Sequence, residues 1–107
     1  MGDISYVSIY ITASNLAEAE RIAEAVVKRR LAACANVVEK VKSIYWWKGT
    51  LERADESLLF LKTKREKVKE IICLVRQMHS YENPAILVLP ILEGSEEYFK
   101  WMDEEIS

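Results

Sequence analysis

The order of secondary structure in this sequence predicts an α+β fold of the ferredoxin-like class. Stretches with strand and helix periodicity follow one another as β-α-β-β-α-β, and one further helical stretch closes the chain. The second strand, Cys34–Trp47, contains no Pro or Gly and predicts a long central β-hairpin. With short connections and right-handed crossovers, this order gives a βαββαβ sandwich in which two helices cover one face of an antiparallel sheet.

The length and composition indicate a single domain, residues 1–107, with an ordinary hydrophobic core. Fifteen Lys and Arg against 17 Asp and Glu leave a net charge of −2, which argues against nucleic acid or an anionic membrane as a partner. There is no apolar run of transmembrane length and no sign of a secretory signal, so we expect a cytoplasmic protein that does not enter membranes. Cys34 and Cys73 are expected to be buried free thiols.

Alternating apolar side chains identify the first strand over residues 5–12. Its core face carries Val7, Ile9 and Ile11. Asn15, followed three positions later by Glu18, has the spacing of a capping box and predicts the start of a helix that runs to Arg30. Apolar residues recur at helical spacing within this segment, so one side of the helix faces the core.

The long hairpin begins with Cys34–Trp47 and turns at Gly49. Polar Glu39 and Lys40 in the middle of the strand predict a bulge, a twist or an exit from the core. At about 3.3 Å per residue the strand spans about 45 Å, more than a compact domain of this length requires. Its far end carries consecutive apolar residues, whose side chains alternate between both faces. They are Ile44, Tyr45, Trp46 and Trp47. We therefore predict that Tyr45, Trp46 and Trp47 lie in an interface between subunits.

The return strand contains a continuous apolar run at residues 57–61, which is typical of a central strand buried on both faces. Thr63, followed three positions later by Glu66, matches a capping box. Apolar residues at helical spacing then predict a second helix that ends near His79.

Two prolines delimit the last strand. Pro84 prevents continuation of the second helix and makes the preceding residues a turn. The apolar run at residues 86–89 is the fourth strand, and Pro90 closes it because proline cannot donate to a ladder. Gly94 and Ser95 then open a short terminal helix that carries several aromatic residues.

The face of the sheet away from the two helices is also apolar. It receives Tyr6 and Tyr10 from the first strand and parts of the runs at residues 58–61 and 86–89. A monomer rarely exposes an apolar surface of that size. The sequence therefore predicts an oligomer packed through its sheets, with the hairpin reaching across the boundary.

Three stretches resemble one known family. They read RLAACAN at residues 30–36, SIYWWKG at residues 43–49 and HSYENP at residues 79–84, and Lys62-Thr63 and Tyr98-x-x-Trp101 accompany them. In this combination nearly the whole chain is similar to the CutA divalent-cation tolerance proteins. The resemblance implies a ferredoxin-like fold, a homotrimer with its sheets around a threefold axis, and a cytoplasmic role in tolerance of copper and other divalent metals. The family trimer resembles that of the PII signalling proteins.

The chain departs from this family at three positions. Ser80 replaces the usual Pro after His79, Ala85 stands where many members carry Glu, and Ile11 occupies a place where some members have Cys. That Cys and that Glu are among the groups proposed to bind metal in the family. This chain therefore lacks two of the proposed metal-binding groups.

His79, the only histidine, and Glu82 are the candidate metal ligands. They are three positions apart across a turn, and imidazole together with carboxylate suits Cu(II) or Zn(II). A closed zinc site is not expected, because there is one histidine and no Cys-x-x-Cys spacing. We expect weak or transient binding of Cu(II) or another divalent cation and no obligatory cofactor. The structural alternative is a histidine stabilised by the dipole at a helix C-terminus.

A second candidate site combines Tyr81 and Lys62 with Arg29 or Arg30, of which we favour Arg30. These side chains would line a cleft between subunits and hold a small anion. The corresponding function is that of a PII-like signalling or ligand-binding module in which metal is incidental. A third hypothesis is a mostly structural trimer.

Catalysis is not predicted. A nucleophile needs an adjacent base, and Cys34 and Ser80 have only His79 to serve them, without a motif that positions the pair. The chain has no phosphate-binding loop or dinucleotide fingerprint. The aromatic pattern of RNA-recognition domains is also missing. We therefore expect a protein that is not an enzyme and binds no nucleic acid.

Overall fold

A computed structural model describes residues 4–107, and residues 1–3 of the predicted domain lie outside the described part. The elements are β1 (Tyr6–Ala13), α1 (Leu16–Lys28), β2 (Cys34–Trp47), β3 (Thr50–Lys64), α2 (Val68–Met78), β4 (Ile86–Pro90) and α3 (Glu96–Glu105). The four strands described form one antiparallel sheet in the order β2-β3-β1-β4. This arrangement confirms the predicted α+β class and the predicted order of elements.

The hydrophobic core lies between one face of the sheet and the helices α1 and α2. Alternate residues of β1 are buried, as the sequence predicts, and the helices contribute their apolar sides. The largest fully buried side chains of this core are Ile9, Ile11, Ile22, Leu59, Leu61 and Ile71.

The hairpin turns through Lys48 and Gly49, which both have positive φ angles of 49° and 83°. Trp47 and Thr50 are paired on either side, so this is a two-residue turn of the kind that matches strand twist. Further along, the register of β2 against β3 shifts between Val38 and Val41. The shift falls at the polar residues of the strand and confirms the predicted bulge.

Part of the hairpin extends beyond the rest of the sheet. β1 pairs with β3 only over residues 57–64, so residues 41–47 and 50–56 form a two-stranded ribbon, which we call the hairpin arm. The arm is about 23 Å long at ~3.3 Å per residue, and the molecule measures 44 Å along its longest axis. Trp46, near the tip, is 72% exposed. The sequence-based expectation of an overhanging hairpin is confirmed.

The capping box predicted at Thr63 is wrong. β3 continues through Lys64, and a short 3-10 helix, Arg65–Lys67, leads into α2. The Thr63 hydroxyl is buried and donates to the carbonyl of Leu31 at 2.6 Å. A contact with a residue distant in sequence has replaced the local cap.

The helix α1 ends at Lys28, two residues before the predicted end. Arg30 adopts a left-handed conformation with φ of 59°. Its N–H donates to Val27, and the N–H of Leu31 donates to Val26, which is the Schellman pattern of helix termination. Glycine usually occupies this position because it has no steric penalty at positive φ.

Both cysteines are free, as predicted, but the expectation that they are buried is wrong. Cys73 is exposed on α2, and Cys34 is half-buried at the start of β2. The Sγ atom of Cys34 lies 3.4 Å from the hydroxyl of Tyr98 in α3.

The helix α3 covers one end of the sheet face opposite α1 and α2. The ring of Tyr6 stacks on Phe99 with 4.2 Å between centroids, and its hydroxyl donates to Asp103 at 2.9 Å. Met102 and Ile106 pack beside Ala33. The remainder of this face, which we call the open outer face, is not covered by any residue of the described chain. It contains Tyr10, Val38, Leu58, Phe60, Leu87 and Leu89.

Candidate functional site

His79 follows the last residue of α2 and turns inward. Its backbone is extended, with φ of −78° and ψ of 142°, so the helix ends here as predicted. The N–H of His79 still donates to Val75 at 2.9 Å. The side chain is 0% exposed, between the end of β1 and the connection from α2 to β4.

Both ring nitrogens of His79 have a backbone partner. Nε2 lies 2.7 Å from the carbonyl oxygen of Thr12, and the N–H of Tyr81 donates to Nδ1 at 3.1 Å. A carbonyl only accepts and an amide N–H only donates, so these contacts assign the proton to Nε2 and the lone pair to Nδ1. The imidazole is thus a neutral tautomer with both positions in use.

Glu18 lies beside this histidine in the first turn of α1. Asn15 caps the helix, as predicted, by accepting from the N–H of Glu18 at 2.8 Å. The Glu18 carboxylate, with 4% of its side chain exposed, accepts from the N–H and hydroxyl of Ser14 at 2.9 and 3.0 Å. It also accepts from the N–H of Ser80 at 2.8 Å. Burial raises the pKa of Glu18, but these hydrogen bonds outweigh it and lower the pKa to about 2.

Tyr81 connects the same region to the root of the hairpin arm. Its ring lies 4.8 Å from that of His79, and its hydroxyl donates to Glu56 at 2.7 Å. Glu56 is buried and pairs with Val41, where the arm leaves the sheet. Burial and the hydrogen bond to Glu56 raise the pKa of Tyr81 above its usual range, so the phenol remains a donor.

The three residues of the predicted anion cleft lie apart within one chain. Lys62 holds its ammonium 5.4 Å from the ring centre of Tyr98, and Arg30 pairs with Glu105 at 2.8 Å. Tyr81 contacts β3 at Glu56, six residues from Lys62 and therefore about 20 Å away along the strand. A cleft that contains all three would need residues from more than one subunit, and it stays a prediction.

The predicted interface residues lie at the tip of the hairpin arm. Tyr45 and Trp47 are each 40% exposed, and Lys48 lies 5.4 Å above the ring of Trp47. No segment of the described chain covers Trp46. Their place in a subunit interface stays a prediction.

Comparison with known proteins decides the family. The family model of the CutA1 divalent ion tolerance protein matches residues 7–105. The chain belongs to the CutA1 divalent ion tolerance family. The membership confirms the resemblance that the three sequence stretches indicate.

Individual CutA proteins agree with this assignment over most of this chain. The divalent-cation tolerance protein CutA of Archaeoglobus fulgidus is 45% identical over 98 residues, which cover 92% of this chain and 95% of that protein. A solved structure of the periplasmic divalent cation tolerance protein CutA from the same organism superposes with a TM-score of 0.93 at 43% identity, covering 95% of this chain and 99% of the other. The rice protein CutA 1, chloroplastic, is 33% identical over 88% of this chain, which spans 53% of that protein.

The residues around His79 do not form a ready site for a metal ion. Glu82 is exposed and accessible, whereas the imidazole is sealed and both of its nitrogens are engaged. Within residues 4–107, no three His, Cys, Asp or Glu side chains are grouped so that they hold a metal. Ligation by His79 would require the loss of a backbone hydrogen bond, so the ligand pair of His79 and Glu82 stays a prediction that only titration tests.

Sequence reasoning missed most of this network. Thr12 and Glu56 give no local signal, because their partners are 67 and 25 positions away in the sequence. The sequence pattern points to Glu18 only as half of a local capping box. Its carboxylate instead reaches back to Ser14 and across to Ser80, 62 positions away.

No helix in the described part of the chain is both long enough and apolar enough to cross a membrane.

Proposed function

We propose that this CutA1-family protein contributes to tolerance of divalent cations, copper among them, as a homotrimer in the cytoplasm. The printed names of its relatives, which describe divalent-cation tolerance, support the role. Relatives are also named for the chloroplast and the periplasm, so the location needs its own support. The free thiols of Cys34 and Cys73 suit a reducing compartment.

The observation that carries the proposal is the apolar surface that one chain leaves without a cover. Tyr10 and Phe60 form an edge-to-face pair at 5.5 Å on the open outer face, and Leu87 and Leu89 beside them are 56% and 45% exposed. The apolar residues of the hairpin arm add to this surface. Such an area on a soluble chain marks an interface, and a second copy of the chain supplies a matching apolar face.

Free strand edges support the same conclusion. The outer edge of β4 has no partner strand among the described residues, and the hairpin arm has unpaired backbone on both sides. Exposed edges of this length are normally covered in native proteins. An arm that packs along β4 of a neighbouring copy covers both, and a ring of such head-to-tail contacts closes the assembly. The number three rests on the family resemblance.

Metal binding in this proposal is weak. With no cluster of three ligand groups in residues 4–107, a cation meets one or two exposed carboxylates and water, and Glu82 is the accessible member of the predicted pair. Such a site exchanges metal readily and suits tolerance by transient binding. The PII-like alternative is not favoured, because the matching family model and the relatives are named for divalent ion tolerance.

Calorimetric titration with Cu(II) tests the metal part of the proposal. We expect weak binding that Glu82→Gln reduces, whereas Glu20→Gln, at an exposed glutamate of α1, leaves it unchanged. Equal isotherms for the wild type and Glu82→Gln would show that Glu82 does not bind Cu(II).

Growth in copper tests the role itself. A host that lacks its own CutA1 protein is complemented with the wild type or with Trp46→Lys, which places a charge at the exposed arm tip. The proposal expects the wild type to restore growth at high copper and the variant to fail, because a charge opposes burial in the interface. Equal growth with and without the wild-type protein would contradict the role.

A further inference from the structure

Two side chains accept hydrogen bonds from consecutive backbone amides in the connection from α2 to β4. The N–H of Ser80 donates to Glu18, and the N–H of Tyr81 donates to Nδ1 of His79. Glu18 belongs to α1, and the Nε2 atom of His79 is bonded to Thr12 at the end of β1. Three separate elements therefore converge on one dipeptide.

Both side chains of this group have hydrogen-bond partners within the described chain. Glu18 accepts three donors, and its Oε1 lies 3.7 Å from Nδ1 of His79, too far for a hydrogen bond. His79 donates once and accepts once, which is all that a neutral imidazole can do. No buried side-chain nitrogen or oxygen in the described chain is left without a partner.

We propose that Glu18 and His79 form a buried latch that fixes the backbone of Ser80 and Tyr81, and that His79 is a positioning residue and not a metal ligand. The latch directs the Tyr81 hydroxyl to Glu56 at the root of the hairpin arm. It also sets the path of residues 82–85 into the edge strand β4. Both interface elements, the arm and the edge, thus take their position from this latch.

A metal at His79 is opposed by the cost of opening the latch. Nδ1 becomes available only if the Tyr81 N–H loses its acceptor, and Nε2 only if the carbonyl of Thr12 loses its donor. From the usual cost of a buried polar group left without a partner, this corresponds to roughly a fivefold to 150-fold loss of metal affinity. An exposed carboxylate such as Glu82 carries no such cost.

The wild-type protein gives the first test, because its single histidine produces one set of imidazole signals in 15N NMR. The latch predicts the neutral Nε2–H tautomer near pH 7, and Zn(II) added in excess leaves both ring nitrogen shifts unchanged. The Nδ1–H tautomer, or a shift of either nitrogen that saturates with zinc, would overturn the proposal. This result does not depend on the oligomeric state, so it can fail or succeed separately from the proposed function.

Two matched variants of His79 each retain one of the two hydrogen bonds of its ring. His79→Asn keeps an acceptor near the position of Nδ1, and His79→Gln keeps a donor near the position of Nε2. Each should lower the folding equilibrium constant at least tenfold and speed amide exchange at residues 54–56, while Cu(II) affinity changes less than twofold. Glu82→Gln is the control, with unchanged folding and unchanged exchange at the arm root. A tenfold loss of copper affinity in both His79 variants, with arm exchange unaltered, would show that His79 is a ligand.

Discussion

Replacement of Glu18 by Gln measures how much the buried carboxylate stabilises the fold. The wild-type carboxylate accepts two donors from Ser14 and one from Ser80. Gln has the same shape but carries no charge, so it approximates the protonated form of Glu18. The variant therefore removes the charge-assisted part of these three hydrogen bonds and leaves the packing in place.

The magnitude follows from the pKa of Glu18, which is lowered from 4.5 to about 2. At about 1.36 kcal/mol per unit, the charged form contributes on the order of 3 kcal/mol to the free energy of unfolding at pH 7. Because the folded-state pKa lies below the unfolded one, this contribution is fully present above pH 4.5 and is lost as the pH falls toward 2. At pH 3 about half of it, ~1.4 kcal/mol, remains.

The assay is urea unfolding of the wild type and Glu18→Gln at equal protomer concentration, from pH 7 to pH 2.5. Equal concentration is needed because assembly shifts apparent stability by mass action. We expect a gap of about 3 kcal/mol at pH 7 that narrows as the pH falls. A gap that stays constant over this range, or one below about 1 kcal/mol at pH 7, would refute the role assigned to the carboxylate.

Three further changes test other parts of the structure. Tyr81→Phe removes the donor to buried Glu56 and should lower the free energy of unfolding by about 1–3 kcal/mol, measured by thermal denaturation. Arg30 has positive φ and pairs with Glu105, so Arg30→Gly should be more stable than Arg30→Ala by about 1 kcal/mol in urea, since both lose the ion pair and only Gly tolerates the backbone. Trp46→Ala should weaken self-association in sedimentation velocity without a change in far-ultraviolet circular dichroism.

Each of these has a matched control or a contrary outcome. Tyr10→Phe removes a phenol hydroxyl from the open outer face, and it should leave stability almost unchanged where Tyr81→Phe does not. Equal stability of the Gly and Ala variants at position 30 would contradict the importance of its positive φ. Unaltered association of Trp46→Ala would show that the arm tip lies outside the interface.

The parts of the fold that the sequence predicts are those that depend on neighbours in the chain. The strand Cys34–Trp47 has the predicted bounds because β-branched and aromatic residues continue without a Pro or Gly. The bulge lies where Glu39 and Lys40 interrupt the apolar pattern, and the turn lies at Gly49. Local chemistry alone determines these features.

Contacts distant in sequence account for the rest. Thr63 has the local spacing of a helix cap, but its hydroxyl donates a hydrogen bond to the carbonyl of Leu31, 32 positions away. The sequence correctly predicts that His79 lies at the end of a helix, yet its partner Thr12 is 67 positions away. No pattern of neighbouring residues reports that the ring is buried and that both nitrogens are occupied. The sequence therefore predicts where the candidate site lies, whereas the hydrogen-bond partners of its side chains are seen only in the folded structure.

The most direct test of the central claim is the mass of the particle in dilute solution. Multi-angle light scattering at micromolar concentration should give about three times the chain mass of 12.4 kDa, with tryptophan emission typical of buried indoles. A homogeneous particle of one chain mass, with emission typical of tryptophans in water, would contradict the claim that the open outer face and the hairpin arm are covered by sister copies.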